Sequence, residues 1–375
     1  MKILIFNESE MTQIGGINNA VLRTSTLLAR KGNEVTVLST ETGGTSSDRA
    51  LNGVRVIRIG SAVNRYLYGI SPEMWFFLRH NLRSRLSPDI VHIHAYNSLI
   101  SHEVAFFCRR SNIPYVFSPH YSPFAHNAPG ATLLFPIGRP IGREALRLAE
   151  RIVCISRFEA SLLLRHFHLT PEKIIVIPNG IDHVSKRARI RRVKGQDERL
   201  NILYVGYLIK LKGVQYALRA MRELTYAMKR NAVLRIAGSG DYEPRLRLLA
   251  RRIGVEPHVE WLGIMRGDDL RRLYEEADFL LLLSKTENYG TVVAESLALG
   301  TPAIVTTNSA LIEYLNEPGC FGIEYPPKPG ELAHLIIDLA SREIEVGPFT
   351  EKIRLWEDVA RDYNALYEEL IHGRH

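Results

Sequence analysis

The sequence predicts an α/β protein built from two doubly wound parallel-sheet units, and three observations carry that prediction. Short, almost continuous apolar runs alternate with longer amphipathic segments, the pattern of a parallel sheet covered on both faces. The alternation runs through about the first 180 residues and then restarts near residue 200. The chain of 375 residues is longer than one ordinary core accommodates.

In the first unit, KILIF (2–6) reads as a strand and NNAVLRTSTLLARKG (18–32) as a helix stopped by Gly32. EVTVLST (34–40), DIVHIHA (89–95), YVFSP (115–119), RIVCIS (151–156) and IIVIPNG (174–180) read as further strands. The second unit begins with LNILYVG (200–206) and a helix near 213–226. VLRIAGSG (233–240) precedes the helix EPRLRLLARRIG (243–254), and VEWLG (259–263) precedes DDLRRLYEEAD (268–278). FLLLLS (279–284), a helix near 290–299 and PAIVT (302–306) continue the alternation. The resulting division is a first domain over 1–182, a basic linker over 183–199, a second domain over 200–348 and a helical segment over 349–375. Ligands of such sheets bind beyond the carboxyl ends of the strands, so chemistry is sought at the turns leading into helices.

Composition narrows the class. No apolar run reaches the roughly 18–20 residues needed to span a bilayer. MKILIF enters a strand directly and lacks the pattern of a signal peptide. Cys108, Cys154 and Cys320 are far apart with no CxxC pair, which argues against a disulfide framework and fits a reducing, cytoplasmic setting. A net charge of +8 favours acidic partners, and residues 186–194 (KRARIRRVK) carry six basic residues and no acidic one.

Several chemistries find no support. GxxxxGK[ST], HExxH and GxSxG are absent, and GSGDYE (238–243) has Glu243 where a dinucleotide fingerprint needs its third glycine. No Asp-x-Asp occurs, which weakens the case for a metal-held diphosphate, and no metal or organic cofactor is expected. What remains is SKTENYGTVVAESLALGTP (284–302). Here a buried strand runs into a turn and then a helix, whose unpaired N–H groups and positive dipole end suit phosphate. Glu287 lies in the turn and Glu295 about one and a half turns into the helix. An ionised carboxylate accepts hydrogen bonds and never donates, so beside a diphosphate it suits hydroxyls flanking the phosphates. A ligand with hydroxyls on both sides of a diphosphate is a nucleotide sugar. Taken alone, two glutamates in such positions are more often simply solvated.

The surrounding motifs resemble those of the retaining glycosyltransferases of family 4 (group 1), which have the GT-B fold. ENYGTVVAESLALGTP matches the family's Glu-x7-Glu and Gly-x-Pro signature. GGINNAVLRTSTLLARKGNEVTVLST, KIIVIPNGID, VGYLIKLKG and LYEEADFLLLLSKTENYG resemble its other motifs, in order, over nearly the whole chain. The resemblance implies two Rossmann-like domains facing across a cleft, with the C-terminal helix returning to the N-terminal domain. It implies transfer of a hexose or similar sugar, with retention and without a metal, from a UDP- or GDP-linked donor to a hydroxyl acceptor. Gly15 and Gly16 would let the first loop approach the donor. Lys212 would neutralise the diphosphate, Glu295 hold the ribose and Glu287 the hexose. The backbone of Asn288, Tyr289, Gly290 and Thr291 would meet sugar and diphosphate, and Gly263 and Ile264 the base. His120, in YVFSPHYSP, would touch the transferred sugar; His120, Lys212 and Glu287 are thus the catalytic candidates. His94, Asn97 and Tyr121 are candidates on the acceptor side. One departure stands out: Tyr207 replaces the family's usual arginine, exchanging a bidentate cation for one neutral donor, with Lys210 nearby.

Residues 64–86 mix aromatics with Arg65, Arg79, Arg83 and Arg85, and Arg139, Arg143, Arg147 and Arg151 recur every fourth residue, one stripe if helical. Such segments suggest a peripheral contact with an anionic membrane and a lipid-linked acceptor. YSPFAHNAPGATLLFPIGRP (121–140) reads as a loop over the acceptor site. An epimerase acting on a nucleotide sugar, and a binding protein without activity, remain open alternatives. A nucleic-acid partner is not expected, because no aromatic platform accompanies the basic run.

Overall fold

The computed structural model describes residues 1–8, 15–42, 45–61, 71–122, 131–183, 188–195, 197–349 and 352–373, without the side chains of 42, 61 and 131–139. The chain divides into two compact units, Met1–Gly180 with Leu355–His375, and Ile181–Arg354.

The first unit holds β1 (Lys2–Phe6), α1 (Gly16–Arg30), β2 (Glu34–Thr42), β3 (Ser47–Leu51), β4 (Val54–Ser61) and α2 (Pro72–Asn81). It continues with β5 (Ile90–His94), α3 (Leu99–Arg110), β6 (Tyr115–Ser118), α4 (Ala131–Leu148), β7 (Arg151–Cys154), α5 (Arg157–Phe167) and β8 (Ile174–Val176). The sheet order is β3-β4-β2-β1-β5-β6-β7-β8, and every pairing is parallel except that of β3 with β4. β1 and β5 are buried along almost their whole length, β1 apolar after Lys2 and β5 apolar apart from His92 and His94.

The second unit starts with β9 (Arg189–Arg191), β10 (Leu200–Val205), α6 (Val214–Arg222), β11 (Ala232–Ala237), α7 (Glu243–Arg252) and β12 (Val259–Gly263). There follow α8 (Gly267–Glu276), β13 (Phe279–Leu282), α9 (Thr291–Ala298), β14 (Ala303–Thr306), β15 (Cys320–Ile323), α10 (Pro329–Ala340) and β16 (Ile344–Val346). Its main sheet is parallel throughout, in the order β12-β11-β10-β13-β14-β15. The last helix, α11 (Trp356–His372), belongs to the first unit. Trp356, Val359, Tyr363, Tyr367 and Leu370 recur at three- and four-residue spacing and pack in one core with Ile3, Ile5, Val21, Ile90 and Val116.

Three expectations need correction. Residues 189–191, expected in a linker, form β9 and pair antiparallel with β16. Both arginines bond to backbone or side chain: Arg191 donates from Nε to Gly300 O (2.6 Å) and from Nη2 to Thr301 Oγ1 (2.7 Å), and Arg189, itself exposed, donates to Leu299 O (2.7 Å). They thus satisfy carbonyls at the end of α9, where a helix leaves acceptors unpaired. The expected loop 121–140 contains the start of α4 at Ala131, while residues 123–130 fall outside the described ones. Arg151 begins β7, so a helical stripe of arginines ends at Arg147. Arg65 also lies outside the described residues. Among the described residues no helix is long and apolar enough to cross a membrane.

Candidate functional site

In the second unit, the turns at the carboxyl ends of the strands gather most of the residues singled out from sequence. The turn after β10 is sewn to the turn after β11: Leu208 N donates to Ser239 O (2.9 Å) and Tyr242 N to Leu208 O (2.9 Å). Gly238 N in turn donates to Gly263 O (2.6 Å), which fixes the end of β12. These bonds place Tyr207, Gly263 and Ile264 along one edge, with the side chains of Tyr207 and Ile264 exposed. Tyr204 OH donates to Tyr207 O (2.8 Å), anchoring the backbone of the residue that replaces arginine.

Lys212 ends a single 3₁₀ turn, Lys210–Lys212, and Gly213 follows as the cap of α6 with φ 80°. A Cβ on Gly213 would lie 2.0 Å from Leu283 O, so only glycine fits between this turn and the end of β13. That close approach brings Lys212 to Glu287: Nζ donates to Oε1 at 2.5 Å, and Ser284 Oγ donates to the same oxygen at 2.9 Å. Both charged side chains are mostly shielded from solvent, which strengthens the pair relative to a surface ion pair. Lys210, by contrast, is exposed.

Gly290 caps α9 with φ 84°, and a Cβ there would meet Leu311 Cδ2 at 2.5 Å. Its glycine is thus required by the turn and by packing from within the unit. Asn288 and Thr291 are partly buried beside it. The Tyr289 side chain faces inward: its OH donates to Lys352 O (2.8 Å) and its ring packs on Tyr314. Only its backbone is left for the role expected of this loop. Glu295, one and a half turns into α9, accepts a hydrogen bond from Tyr274 OH at 2.8 Å. Burial, and then the neighbouring Glu295 charge, hold the Tyr274 phenol well above its ordinary pKa, so it stays a donor. Sequence reading overlooked Tyr274 and Ser284. Tyr274 lies on the apolar face of α8 and looks like core; Ser284 looks like the last residue of an apolar strand.

The first-unit candidates sit in a different environment. Gly15 caps α1, its carbonyl accepting from Asn19 N (2.9 Å), and a Cβ on Gly16 would meet nothing within 4 Å. His92 and His94 alternate on β5 and so share a face, and His120 follows the end of β6 with φ 48°. The rings of His92 and His94 lie 4.2 Å apart, those of His94 and His120 5.3 Å apart at 13°. His94 Nδ1 and His120 Nε2 are hydrogen-bonded at 3.0 Å. His92 is held on both nitrogens, by Tyr367 OH (2.6 Å) and Ser118 Oγ (2.8 Å). Burial disfavours the imidazolium and pushes His92 to about 3 and His120 to about 4, with His94 also well below its ordinary value. Tyr121 is buried, its OH bonded to His166 Nδ1 (2.9 Å) and its N–H donating to Glu159 Oε1 (2.6 Å); it serves the core. Asn97 precedes α3, and its Oδ1 is buried without a partner.

Two parallel-sheet α/β units, with glycine turns, an ammonium and two carboxylates collected at the strand ends of the second, define a GT-B protein. Family models match along most of the chain: Glycosyltransferase Family 4 over residues 14–184 and Glycosyl transferases group 1 over residues 186–356. The chain belongs to these family 4, group 1 glycosyltransferases. It is 27% identical over 368 residues to the uncharacterized glycosyltransferase MJ1607 of Methanocaldococcus jannaschii, covering 91% of each chain. The fold is similar to that of sucrose-phosphate synthase from Thermosynechococcus elongatus, with a TM-score of 0.75, 18% identity and 99% of each chain covered. It is also similar to Anabaena HepE in complex with UDP-glucose, with a TM-score of 0.68, 15% identity, and 100% of this chain and 99% of that chain covered.

Proposed function

We propose that this glycosyltransferase moves a hexose, or a similar sugar, from a UDP- or GDP-linked donor to a hydroxyl acceptor with retention of configuration and without a metal. The observation that carries the reading is the Lys212–Glu287 pair set beside the N-terminus of α9, with Glu295 further along the same helix. An ammonium has three donors, and Lys212 directs one to Glu287, so two remain for a diphosphate. Glu287 and Glu295 accept from hydroxyls on the sugar and the ribose. UDP-glucose bound to the similarly folded HepE supports a nucleotide-sugar donor.

In the reaction, the bond between the sugar's anomeric carbon and the diphosphate oxygen breaks, and its electron pair stays on the diphosphate. Lys212 and the N–H groups of the α9 start stabilise that charge as the sugar becomes oxocarbenium-like. The acceptor oxygen bonds to the anomeric carbon on the same face, and its proton passes to the departing phosphate. Tyr207 supplies one neutral donor where the family has a cation, so the leaving group depends the more on Lys212.

The acceptor is lipid-linked in this reading, and the protein is cytoplasmic and peripheral to an anionic membrane. Trp75 of α2 stacks on Phe106 of α3 (5.5 Å), both are exposed, and Phe76 beside them is 61% exposed. Exposed Arg79 of α2, Arg83 just beyond it, and Arg109 and Arg110 of α3 accompany these aromatics, the combination of apolar and cationic groups that binds anionic lipid. Incubation with UDP- and GDP-sugars plus a detergent-dispersed lipid alcohol tests the function. Release of nucleoside diphosphate with formation of a glycolipid is expected. Conversion to a different nucleotide sugar, or binding without turnover, contradicts it.

A further inference from the structure

Near the amino ends of β13 and β16 the second unit holds a cavity of about 220 Å³, walled in part by Arg191, Arg192, Lys194, Arg342, Glu276 and Asp278. It is separate from the edge that carries Lys212 and Glu287. That edge lies at the carboxyl ends of the strands, and the extended chain from Phe279 in the cavity wall to Ser284 spans on the order of 16 Å. Four cations and two carboxylates leave the wall with an excess of two positive charges. Both carboxylates are already committed. Asp278 pairs with Lys194 (3.2 Å) and accepts from Asn201 N (2.8 Å), and Glu276 pairs with Arg235 (2.8 Å), which does not line the cavity. Arg192 and Arg342 pair with Glu198 (2.5 Å) and Asp338 (3.3 Å), but these ion pairs are exposed, screened by water and weak. Arg191 differs, because among the described residues no carboxylate is bonded to it. It is half-buried, and its Nε and Nη2 donate only to neutral acceptors: Gly300 O, Glu275 O (3.1 Å) and Thr301 Oγ1. None of the described residues bonds its Nη1, which keeps two N–H groups. Burial, only partly offset by the nearby Asp278 charge, holds its pKa below the ordinary value. Arginine stays charged at any ordinary pH, so that depression marks a cation short of compensation.

We propose that this cavity binds a small phosphate-bearing anion, with Arg191 as its anchor and Arg192, Lys194 and Arg342 meeting the remaining oxygens. A guanidinium fork matches phosphate oxygens in pairs, and a dianion matches the excess charge of the wall. The volume falls below the roughly 300–1,000 Å³ of sites for drug-sized ligands, so the ligand is inorganic phosphate or a small phosphate monoester. The frame around it is fixed by backbone pairing. Lys194 N donates to Ala340 O (2.9 Å), and Arg191 stands opposite Ile344 where β9 meets β16. Arg191 also ties Glu275 at the end of α8 to Gly300 just beyond α9, so an anion that neutralises it secures both helix ends. The site belongs to the second unit alone and does not rest on the transferase reading.

The test is calorimetric titration of inorganic phosphate and of glycerol phosphate into the full chain at low ionic strength. Saturable binding is expected, together with a rise in melting temperature. Tighter binding of the monoester identifies an organic ligand, and equal or weaker binding identifies phosphate itself. Binding is expected to persist in Lys212→Ala, which separates this cavity from the ion pair at the other ends of the strands. Arg192→Ser combined with Arg342→Ser removes two exposed side chains and is expected to weaken binding about tenfold or more. Arg191→Met keeps the apolar stem and is expected to abolish binding. Melting temperatures without anion show which variants fold, and the exposed double variant decides the matter if Arg191→Met does not. Arg109→Ser combined with Arg110→Ser removes the same number of charges from the first unit and is expected to leave the affinity unchanged. Absence of binding to wild type, loss of binding in Lys212→Ala alone, unchanged affinity in the variant of Arg192 and Arg342, or equal weakening by both double variants overturns the site.

Discussion

The two units carry their polar residues in opposite electrostatic states. At the strand ends of the second unit, Lys212 and Glu287 are charged and paired at 2.5 Å, and Glu295 is bonded to Tyr274. At the strand ends of the first, His92, His94 and His120 are stacked, desolvated and neutral. Similar α/β scaffolds thus present one edge with a buried ion pair and one with neutral rings. The difference comes from what surrounds each set. Lys212 and Glu287 offset each other's burial, whereas among the described residues no carboxylate bonds the three histidines.

The largest expected effect falls on the charged edge. In Gly213→Ala the new methyl meets Leu283 O, a backbone atom that cannot turn aside, at a position with φ 80°. A stability loss of about 3 kcal/mol or more is expected in urea unfolding, since strain and overpacking add. A loss under about 1 kcal/mol would mean that the turn carrying Lys212 is far looser than described here. Next comes Lys212→Ala, expected to lower turnover at least tenfold, about 1.4 kcal/mol of barrier. Unchanged donor consumption removes Lys212 from the mechanism. Tyr274→Phe takes one hydrogen bond from Glu295 and is expected to weaken donor binding by about 1 kcal/mol, read by calorimetry.

The neutral edge is sharpened by titration. Desolvation lowers the pKa of a cationic acid, so His92 and His120, at about 3 and about 4, should not take up a proton between pH 7 and 5. Histidine ring shifts followed by NMR over that range should stay flat for these two, and a midpoint near the ordinary value of about 6.5 would contradict the contrast. The smallest effect on the fold is expected from Phe76→Ser, which alters only exposed surface: stability should change by less than about 0.5 kcal/mol. Flotation with vesicles containing anionic lipid should nevertheless fall, and undiminished flotation would exclude this aromatic face as the membrane contact.

Much of this contrast is legible in the sequence, and the remainder is not for identifiable reasons. The parallel strands announce themselves because burial on both faces demands nearly unbroken apolar runs, as in FLLL. The hairpin of β3 and β4, and β15, α10 and β16, are not picked out; SDRAL is largely exposed and β16 has three residues, so neither shows an apolar run. Composition misleads at 189–191, where arginines mimic a solvated linker but bond to carbonyls of residues more than 100 positions away. At the site, Glu287, Gly290 and Glu295 are visible because one turn and one helix hold them all. The partnership of Lys212 with Glu287 spans 75 residues, and the bond between Tyr274 and Glu295 joins two helices. Pairings of that kind are properties of the packed sheet, and no local period encodes them.

Calorimetric titration of UDP-, GDP- and ADP-linked sugars into wild type and Lys212→Ala tests most directly whether the charged edge of the second unit grips a nucleotide sugar. Saturable binding of at least one UDP- or GDP-sugar to wild type, weakened about tenfold or more in the variant, is the predicted result. Failure of every nucleotide sugar to bind wild type, or equal affinity for both proteins, would contradict it.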